Sequence, residues 1–426
     1  MINVFHLNQK DFPEKIIFFL IVLLPITLVT GSFLSDFSVS LIALLFLYTS
    51  IKKKIYFYYQ NIFSTIFGIF FLILLIVSVL SIDPLISLKK TIVYFRFWVF
   101  ALAVWYIFDI KKYLIKYLIV SFTFIFIILI IDGYIQFFFK ENIFGWPMQG
   151  ARLSGLFKDE LILGSYLSRL LPIFFAMLVY NKFENKISLY LLFFIIFVGT
   201  ETLTFLTGER AAFFYINFSS LFLILSMKNY KLFRSLSIIT SIIMIFLLIN
   251  LYPKSTERII TKTFNQLEVS TDAGVKELIP KKVFSIEYEN HYRSSLRMFN
   301  DNKITGVGPR MFRFLCVEKK YYIWEGCSTH PHNTYVQLLA ETGLIGFIFF
   351  IGIFLMLLLS IIKHLFIKFI HKRVIFNDFQ LCLLSAMLIS IWPFIPTGDF
   401  FNNWLNIIYF FPLGFFLSSI SNKKAC

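Results

Sequence analysis

The 426-residue chain lacks an internal repeat, a clustered basic face and a clear set of metal-ligating residues. The missing repeat disfavours the duplicated architecture that is common among secondary transporters. Lys and Arg outnumber Asp and Glu by 40 to 24, for a formal net charge of +16. Because these basic residues are spread over separate connections, they argue against nucleic-acid binding. One long polar segment is present, at about 253–333.

Apolar residues are abundant instead: 58% of the chain is hydrophobic, against roughly 45–50% in ordinary soluble domains. Apolar runs of about 17–25 residues are long enough to cross a hydrocarbon core of ~30 Å. We therefore predict an all-α, polytopic membrane helix bundle with about twelve transmembrane helices and one large external loop. The predicted spans lie near 15–31, 35–51, 62–81, 91–109, 116–137, 161–180, 188–206, 211–227, 235–252, 334–361, 379–396 and 404–420.

Alternate connections between these spans are basic, which indicates the orientation of the chain, because cytoplasmic loops hold the excess of Lys and Arg. Both termini are expected in the cytoplasm. Three regions follow: an N-terminal bundle at 1–252, a large external loop at 253–333 and C-terminal helices at 334–426. Lys89 and Lys90 break the pattern, since they fall in a connection that should be external.

Cys316 and Cys327 both lie in the external segment, where they share a potentially oxidising compartment. We expect a disulfide between them. Two free thiols are the alternative.

A polar segment ending in His330, Pro331, His332 and Asn333 leads directly into an apolar run. Asn is a good N-cap, and a helix start offers free N–H groups and a partial positive charge, so this position suits an anion. His332 suits general-base catalysis, because its unperturbed pKa lies near neutrality. A metal site is disfavoured because the loop offers no third ligand at the usual spacing. A histidine that only caps the helix is the other alternative.

Gln337 and Glu341 lie four residues apart in this helix, on one face. An amide and a carboxylate in line within a span indicate a polar interior, because lipid-facing positions could not satisfy them. Glu341 is therefore a candidate substrate-binding residue. Gly343 and Gly346 are predicted to let a neighbouring helix approach closely.

Two segments outside the spans carry arginines suited to a diphosphate, because the guanidinium fork donates paired hydrogen bonds and stays charged. Arg210 lies in the short external connection that begins at Thr207, where a solvated turn is the alternative. Arg293 and Arg297 lie four residues apart and predict a short amphipathic helix with a basic face on the membrane. Such a helix is alternatively only an anchor to anionic headgroups.

Arg169 lies within a predicted span, where ionisable residues usually point into the bundle and are paired. Two readings are open. Arg169 extends a basic path for a lipid head group, or it forms a structural ion pair with Asp132 or Glu201.

These features together resemble the O-antigen ligase and Wzy-type polymerase superfamily, over a related region at roughly 190–360. The most specific part is 295–346, with Gly-Val-Gly-Pro at 306–309 and His-Asn at 332–333, which nine residues separate from Gly343. The resemblance implies that His332 is the essential histidine, that Arg210 is the arginine of the short outward loop, and that a loop arginine, here Arg293, contacts the diphosphate. The sequence departs from the family at 287–288, where Glu and Tyr occupy the region of the usual loop arginine.

The activity that this resemblance implies is transfer of a glycan from an undecaprenyl diphosphate donor to an acceptor hydroxyl, without a metal or other cofactor. It also implies that the chain lies in the inner membrane of a bacterium, with its external loop in the periplasm. The acceptor is a lipid A core sugar in a ligase and another lipid-linked glycan in a polymerase. The sequence leaves both open. A carrier for lipid-linked sugars is a third candidate, but it gives no reason for a reactive histidine at one interface.

Overall fold

The computed structural model describes residues 12–183, 186–253, 269–270, 276–277 and 284–421. Within these ranges two short strands, β1 (Val269–Ser270) and β2 (Lys276–Glu277), pair antiparallel. The remaining elements are helices. Helices α1 to α15 span, in order, Phe12–Thr27, Ser32–Lys53, Ile62–Val79, Pro84–Ile92, Phe95–Ile110, Leu114–Phe139, Leu163–Tyr180, Ile187–Leu206, Arg210–Ser226, Lys231–Leu251, Ile286–Asp301, Phe312–Leu315, Thr334–His371, Asp378–Ser390 and Asn403–Ser421.

The prediction of an all-α, polytopic membrane protein is confirmed. In the described part of the chain nine helical segments are long and apolar enough to cross a membrane, and each predicted span coincides with a helix. Three of the twelve predicted spans coincide with helices shorter than these nine segments. Helices α1, α9 and α14 have 16, 17 and 13 residues. Twelve crossings therefore stay a prediction.

Burial divides the helices into an inner and an outer group. In α7, 89% of the membrane-spanning window is buried within the protein, whereas in α3 and α13 the share is 22%. Helices that are apolar all round and packed on every side form the centre of a bundle, and those with exposed apolar faces meet lipid. The central α7 is also the helix that carries Arg169.

The long helix α13 joins two ends of the bundle. It begins at Thr334, next to His332, and near its other end Lys368 donates hydrogen bonds to the carbonyl oxygens of Leu225 and Met227. Two of the basic connections thus lie together at the end far from His332, in agreement with an alternating topology. The predicted cytoplasmic position of the two termini concerns residues 1–11 and 422–426, which lie outside the described residues.

We expect the two ends of the bundle to face different compartments. A cysteine introduced at Asn300, which is exposed at the end of α11, should react with an impermeant maleimide in intact spheroplasts. A cysteine at Tyr113, exposed between α5 and α6, should react only after the cytoplasmic membrane is breached. Labelling of position 300 only after the breach would refute this topology.

Candidate functional site

The first turn of α13 is fixed by Asn333. Its side-chain oxygen accepts hydrogen bonds from the backbone N–H groups of Tyr335 and Val336 at 2.9 and 3.1 Å. Its amide nitrogen donates to the carbonyl oxygen of Pro393 at 2.8 Å. An N-cap of this kind stabilises a helix by about 1 kcal/mol. The predicted cap is confirmed, and it also ties the helix start to the connection between α14 and α15.

His332 lies immediately before this cap, with its backbone in the left-handed region at φ 56°. Its carbonyl oxygen accepts a hydrogen bond from the N–H of Thr397 at 2.9 Å. The half-buried imidazole is surrounded by rings, with centroids of His330 at 4.1 Å and of His291 and Tyr288 at 5.2 Å each. The last two belong to α11, so that helix forms one wall of the site.

Burial, together with the like charges of the neighbouring His330 and His291, lowers the pKa of His332 to about 3. The pKa values of His330 and His291 are also lowered, again mainly by burial. His332 is therefore neutral at physiological pH and has a free lone pair. In the described residues no group of three or more His, Cys, Asp or Glu side chains is arranged to hold a metal ion.

Thr397, whose N–H donates to the His332 carbonyl, also contacts Arg169 of α7 through its hydroxyl. The Arg169 guanidinium is 2% exposed, donates from Nη2 to the Thr397 hydroxyl at 3.4 Å and from Nε to the Ser165 hydroxyl at 3.2 Å. It lies 4.5 Å from the ring centroid of Tyr215. Nη1 is buried and has no hydrogen-bond partner among the described residues. A buried charged nitrogen without an acceptor is costly, which is the state expected of a group that awaits a ligand.

The alternative ion pairs for Arg169 are wrong. Glu201 pairs with Arg234 of α10 inside the bundle. Asp132 accepts a hydrogen bond from the backbone N–H of Ile143 at 3.0 Å, in the loop after α6. Both carboxylates therefore have their partners elsewhere in the structure.

Glu209, in the short connection before Arg210, is a helix cap and not a solvated turn residue. Its carboxylate accepts hydrogen bonds from the backbone N–H groups of Gly164 at 2.7 Å and Ser165 at 3.2 Å, at the start of α7. Burial raises its pKa to about 7, against the opposing effect of Arg152 and Arg169. Glu209 thus holds the first turn of the helix that carries Arg169, and Arg210 follows it as the first residue of α9.

Arg293 and Arg297 lie on the exposed face of α11. Arg293 is two residues from the buried His291, about 200° around the helix, and Arg297 donates to the carbonyl oxygen of Tyr322 at 2.8 Å. No contact of the described residues brings either arginine to His332. Their part in binding a diphosphate stays a prediction.

Glu341 and Gln337 share a face of α13, as predicted, and both are buried. The carboxylate of Glu341 accepts from the Gln337 amide at 3.0 Å and from the backbone N–H of Phe312 at 3.1 Å. The Gln337 amide also donates to Asp399 at 2.7 Å, and Asp399 pairs with Arg313 at 3.2 Å. These contacts join α13, α12 and the α14–α15 connection into one polar network beside the histidines.

Helix α13 is broken at Gly343, where φ is 62°. The break frees backbone groups, and the segment before α12 satisfies them: the N–H of Val307 donates to the carbonyl of Ala340 at 3.0 Å, and the N–H of Leu344 donates to the carbonyl of Lys303 at 2.8 Å. Backbone groups left unpaired in lipid would cost several kcal/mol each. The prediction that Gly343 admits a neighbouring helix is corrected, because a loop enters there.

The glycines of this loop are required by close approach. A Cβ at Gly306 would lie 2.5 Å from the carbonyl carbon of Glu341, and a Cβ at Gly308 would lie 1.9 Å from the Ser81 hydroxyl. At Gly346 an added Cβ would meet Thr342 of the same helix. The Gly-Val-Gly-Pro segment is thus enclosed between the break in α13 and the α3–α4 turn.

The predicted disulfide is confirmed: Cys316 and Cys327 are bonded, with Cα atoms 5.1 Å apart. It closes the segment after α12, which leads to His330. The covalent link limits how far the chain before His332 can move.

Several residues at the site were missed at the level of sequence. Tyr288 and His291 lie three residues apart on the buried face of α11, and a helical projection would have grouped them with Ser294 and Ser295. Thr397 lies between two apolar helices in a connection with two prolines, at 393 and 396. A polar residue after such a break in an apolar run is a usable signal.

Comparison with known proteins gives one family. Residues 191–351 match the model of a family described as O-antigen ligase. The matched range runs from α8 into α13 and contains Arg210, His332 and Gly343, but not Arg169. No curated protein matches the chain.

Proposed function

We propose that the chain is a membrane glycosyltransferase of the ligase type, because residues 191–351 match the model of the family described as O-antigen ligase. It transfers a glycan from an undecaprenyl diphosphate carrier to a sugar hydroxyl of the lipid A core, at the periplasmic face of the inner membrane. One observation supports this most strongly. The backbone N–H of Thr397 donates to the His332 carbonyl, and the Thr397 hydroxyl accepts from Arg169, a buried cation that has an unpartnered nitrogen, so one residue contacts both.

The donor diphosphate is assigned to the cationic side of the site. Arg169 supplies Nη1, and the start of α13, capped by Asn333, supplies the positive end of a helix dipole. Arg210, the arginine of the short connection, is a further proposed contact. Arg293 and Arg297 are proposed to meet the incoming donor, because they are exposed cations on the helix that carries His291.

In the reaction His332 takes the proton of the acceptor hydroxyl, and the resulting oxygen attacks the anomeric carbon of the donor. The bond from that carbon to the diphosphate oxygen breaks, and undecaprenyl diphosphate leaves with the electron pair. Attack from the face opposite the leaving group inverts the configuration. Arg169 and Arg210 stabilise the charge that develops on the diphosphate. The bound anion also favours the charged imidazole, which raises the basicity of His332 in the complex.

Glu341 is assigned a supporting part in this scheme. Its contacts with Gln337 and Phe312 hold the Arg313 region against α13, so the acceptor meets a rigid wall. We propose that it acts on substrate binding through these partners.

The test of the function is transfer by purified protein in detergent, with a lipid-diphosphate glycan and each acceptor in turn. A ligase makes product with a lipid A core acceptor, and a polymerase extends a second lipid-linked glycan. We expect product with the core acceptor, and the same rate when a chelator is added. A carrier makes no covalent product in detergent, where no second compartment exists, so absence of product with both acceptors would favour it.

The dependence of kcat/KM on pH should report the environment of His332. Because burial, His330 and His291 lower its pKa well below the ordinary value of about 6.5, the base form persists as the pH falls, and kcat/KM should decline only well below pH ~6.5. His291→Gln should move this decline to higher pH, because one source of positive charge is removed. A wild-type decline centred at or above the ordinary value would contradict the described environment.

A further inference from the structure

A second group of cations lies across Asp399 from the histidines. Lys90 of α4 donates from Nζ to the side-chain oxygen of Asn403 at 3.1 Å. The charged groups that act on Lys90 are Asp399, Arg310, Arg96 and Asp36. Lys90 was the residue that did not fit the basic-loop pattern, and the structure places it at the same end of the bundle as His332.

Four cations lie in this region, Lys90, Arg310, Arg96 and Arg313, and two of them have a carboxylate partner. Arg313 pairs with Asp399 at 3.2 Å, and Arg96 pairs with Asp36 at 2.5 Å. Among the described residues no carboxylate forms an ion pair with Lys90 or Arg310. The pair Lys90 and Arg310, here called the cation pair, therefore carries excess positive charge next to the site.

The cation pair is held in place by the backbone around it. Arg310 adopts φ 70°, which is uncommon for a residue other than glycine, and its backbone donates to the buried Glu341 carboxylate. Its neighbour Pro309 accepts a hydrogen bond from the Ser87 hydroxyl at 3.0 Å. Ser87 lies three residues before Lys90, on the same face of α4. One contact therefore fixes both the Arg310 backbone and the face that Lys90 occupies.

The surface beside the cation pair is apolar. On α4 and the turn before it, Leu85 is 81% exposed and Ile82 is 53% exposed. A short helix with a basic residue on one side and exposed aliphatic residues on another suits the interface between lipid and water. Such a surface matches an amphiphile that has an anionic head group.

We propose that Lys90 and Arg310 bind the phosphate of a phosphorylated glycolipid acceptor, while Arg169 takes the diphosphate of the donor. This assignment rests on the proposed transferase function. Thr397 contacts Arg169. Asp399, two residues later, lies close enough to Lys90 and to His330 for its negative charge to attract both. Two anionic lipids then meet at His332 from separate cationic sites, and their charges do not compete for one arginine.

The test uses the Lys90→Gln/Arg310→Gln double variant in the transfer assay, with the acceptor either phosphorylated or treated with phosphatase. For the phosphorylated acceptor we expect KM to rise by about 10- to 100-fold, because contacts to a charged group are lost. The donor KM and kcat should stay within about twofold, and KM for the dephosphorylated acceptor should not change. Lys89→Gln, at the exposed neighbouring position on α4, is the matched control and should behave as wild type.

An unchanged acceptor KM in the double variant overturns the proposal, as does an equal rise for both forms of the acceptor or a rise in the donor KM. Binding measured by native mass spectrometry separates this result from a failure of the function itself. If wild type makes no product but binds the phosphorylated glycolipid through Lys90 and Arg310, the transferase fails and the anion site stands. Equal competition by phosphatidylglycerol would identify an ordinary membrane lipid as the ligand and overturn the acceptor assignment.

Discussion

Replacement of His332 by alanine is expected to reduce product formation by about 10²- to 10⁴-fold, the range typical of losing a positioned proton acceptor. Donor binding should persist, since Arg169 and the start of α13 do not depend on the imidazole. His332→Asn is a second variant that keeps the backbone conformation. Position 332 has φ 56°, and Asn tolerates the left-handed region better than alanine does. A loss shared by both variants is then chemical and not conformational.

His330→Ala is the matched control, because its ring lies 4.1 Å from that of His332 and shares its burial. We expect a much milder effect on kcat. The measurement is product formation by purified variants of equal thermal stability, together with donor affinity. Robust product from either His332 variant would exclude this residue as the base.

Replacement of Arg169 by methionine is expected to lower kcat by about 10²- to 10³-fold, as when one preorganised donor to a developing negative charge is removed. Arg169→Lys should recover little, because one ammonium group cannot contact Ser165, Thr397 and a ligand at once. Arg210→Ala should also depress transfer severely, and Arg210→Lys should rescue poorly for the same reason.

The control for the arginine variants is Lys116→Ala, which removes an exposed cation on α6. Affinity for a lipid diphosphate, measured without acceptor, separates a binding loss from a catalytic one. Wild-type transfer by a well-folded Arg169→Met protein would remove Arg169 from the site, whatever the result for Arg210.

The local features of the fold could be predicted from the sequence, because each depends on neighbouring residues. Apolar length predicted the helices, and the Asn333 cap follows from the chemistry of one side chain at a helix start. The disulfide followed from two cysteines that are close in the chain and share a compartment. The start of α13 was likewise predicted close to Asn333, and the helix begins at Thr334.

The remaining features depend on contacts between distant segments, which local patterns do not contain. Glu209 caps a helix that begins 46 residues earlier, at Leu163, and nothing in its own turn indicates that partner. The rotation of α11 decides that His291 faces the site and Arg293 faces outward, yet both faces of that helix carry polar residues. The sequence at Gly343 predicts close packing of a neighbouring helix, because the loop that enters the break is distant in the chain.

The contacts at the break in α13 join segments that the ribosome synthesises at different times. The Ser81 hydroxyl donates to the carbonyl of Val307 across 226 positions of sequence, and the loop that includes Val307 is synthesised before the break in α13 that receives it. Thr397 and Asp399 arrive later still. Insertion of the last helices into the membrane therefore completes the constellation, and a truncated or half-translocated chain holds the histidines but lacks the residues that join them to Arg169.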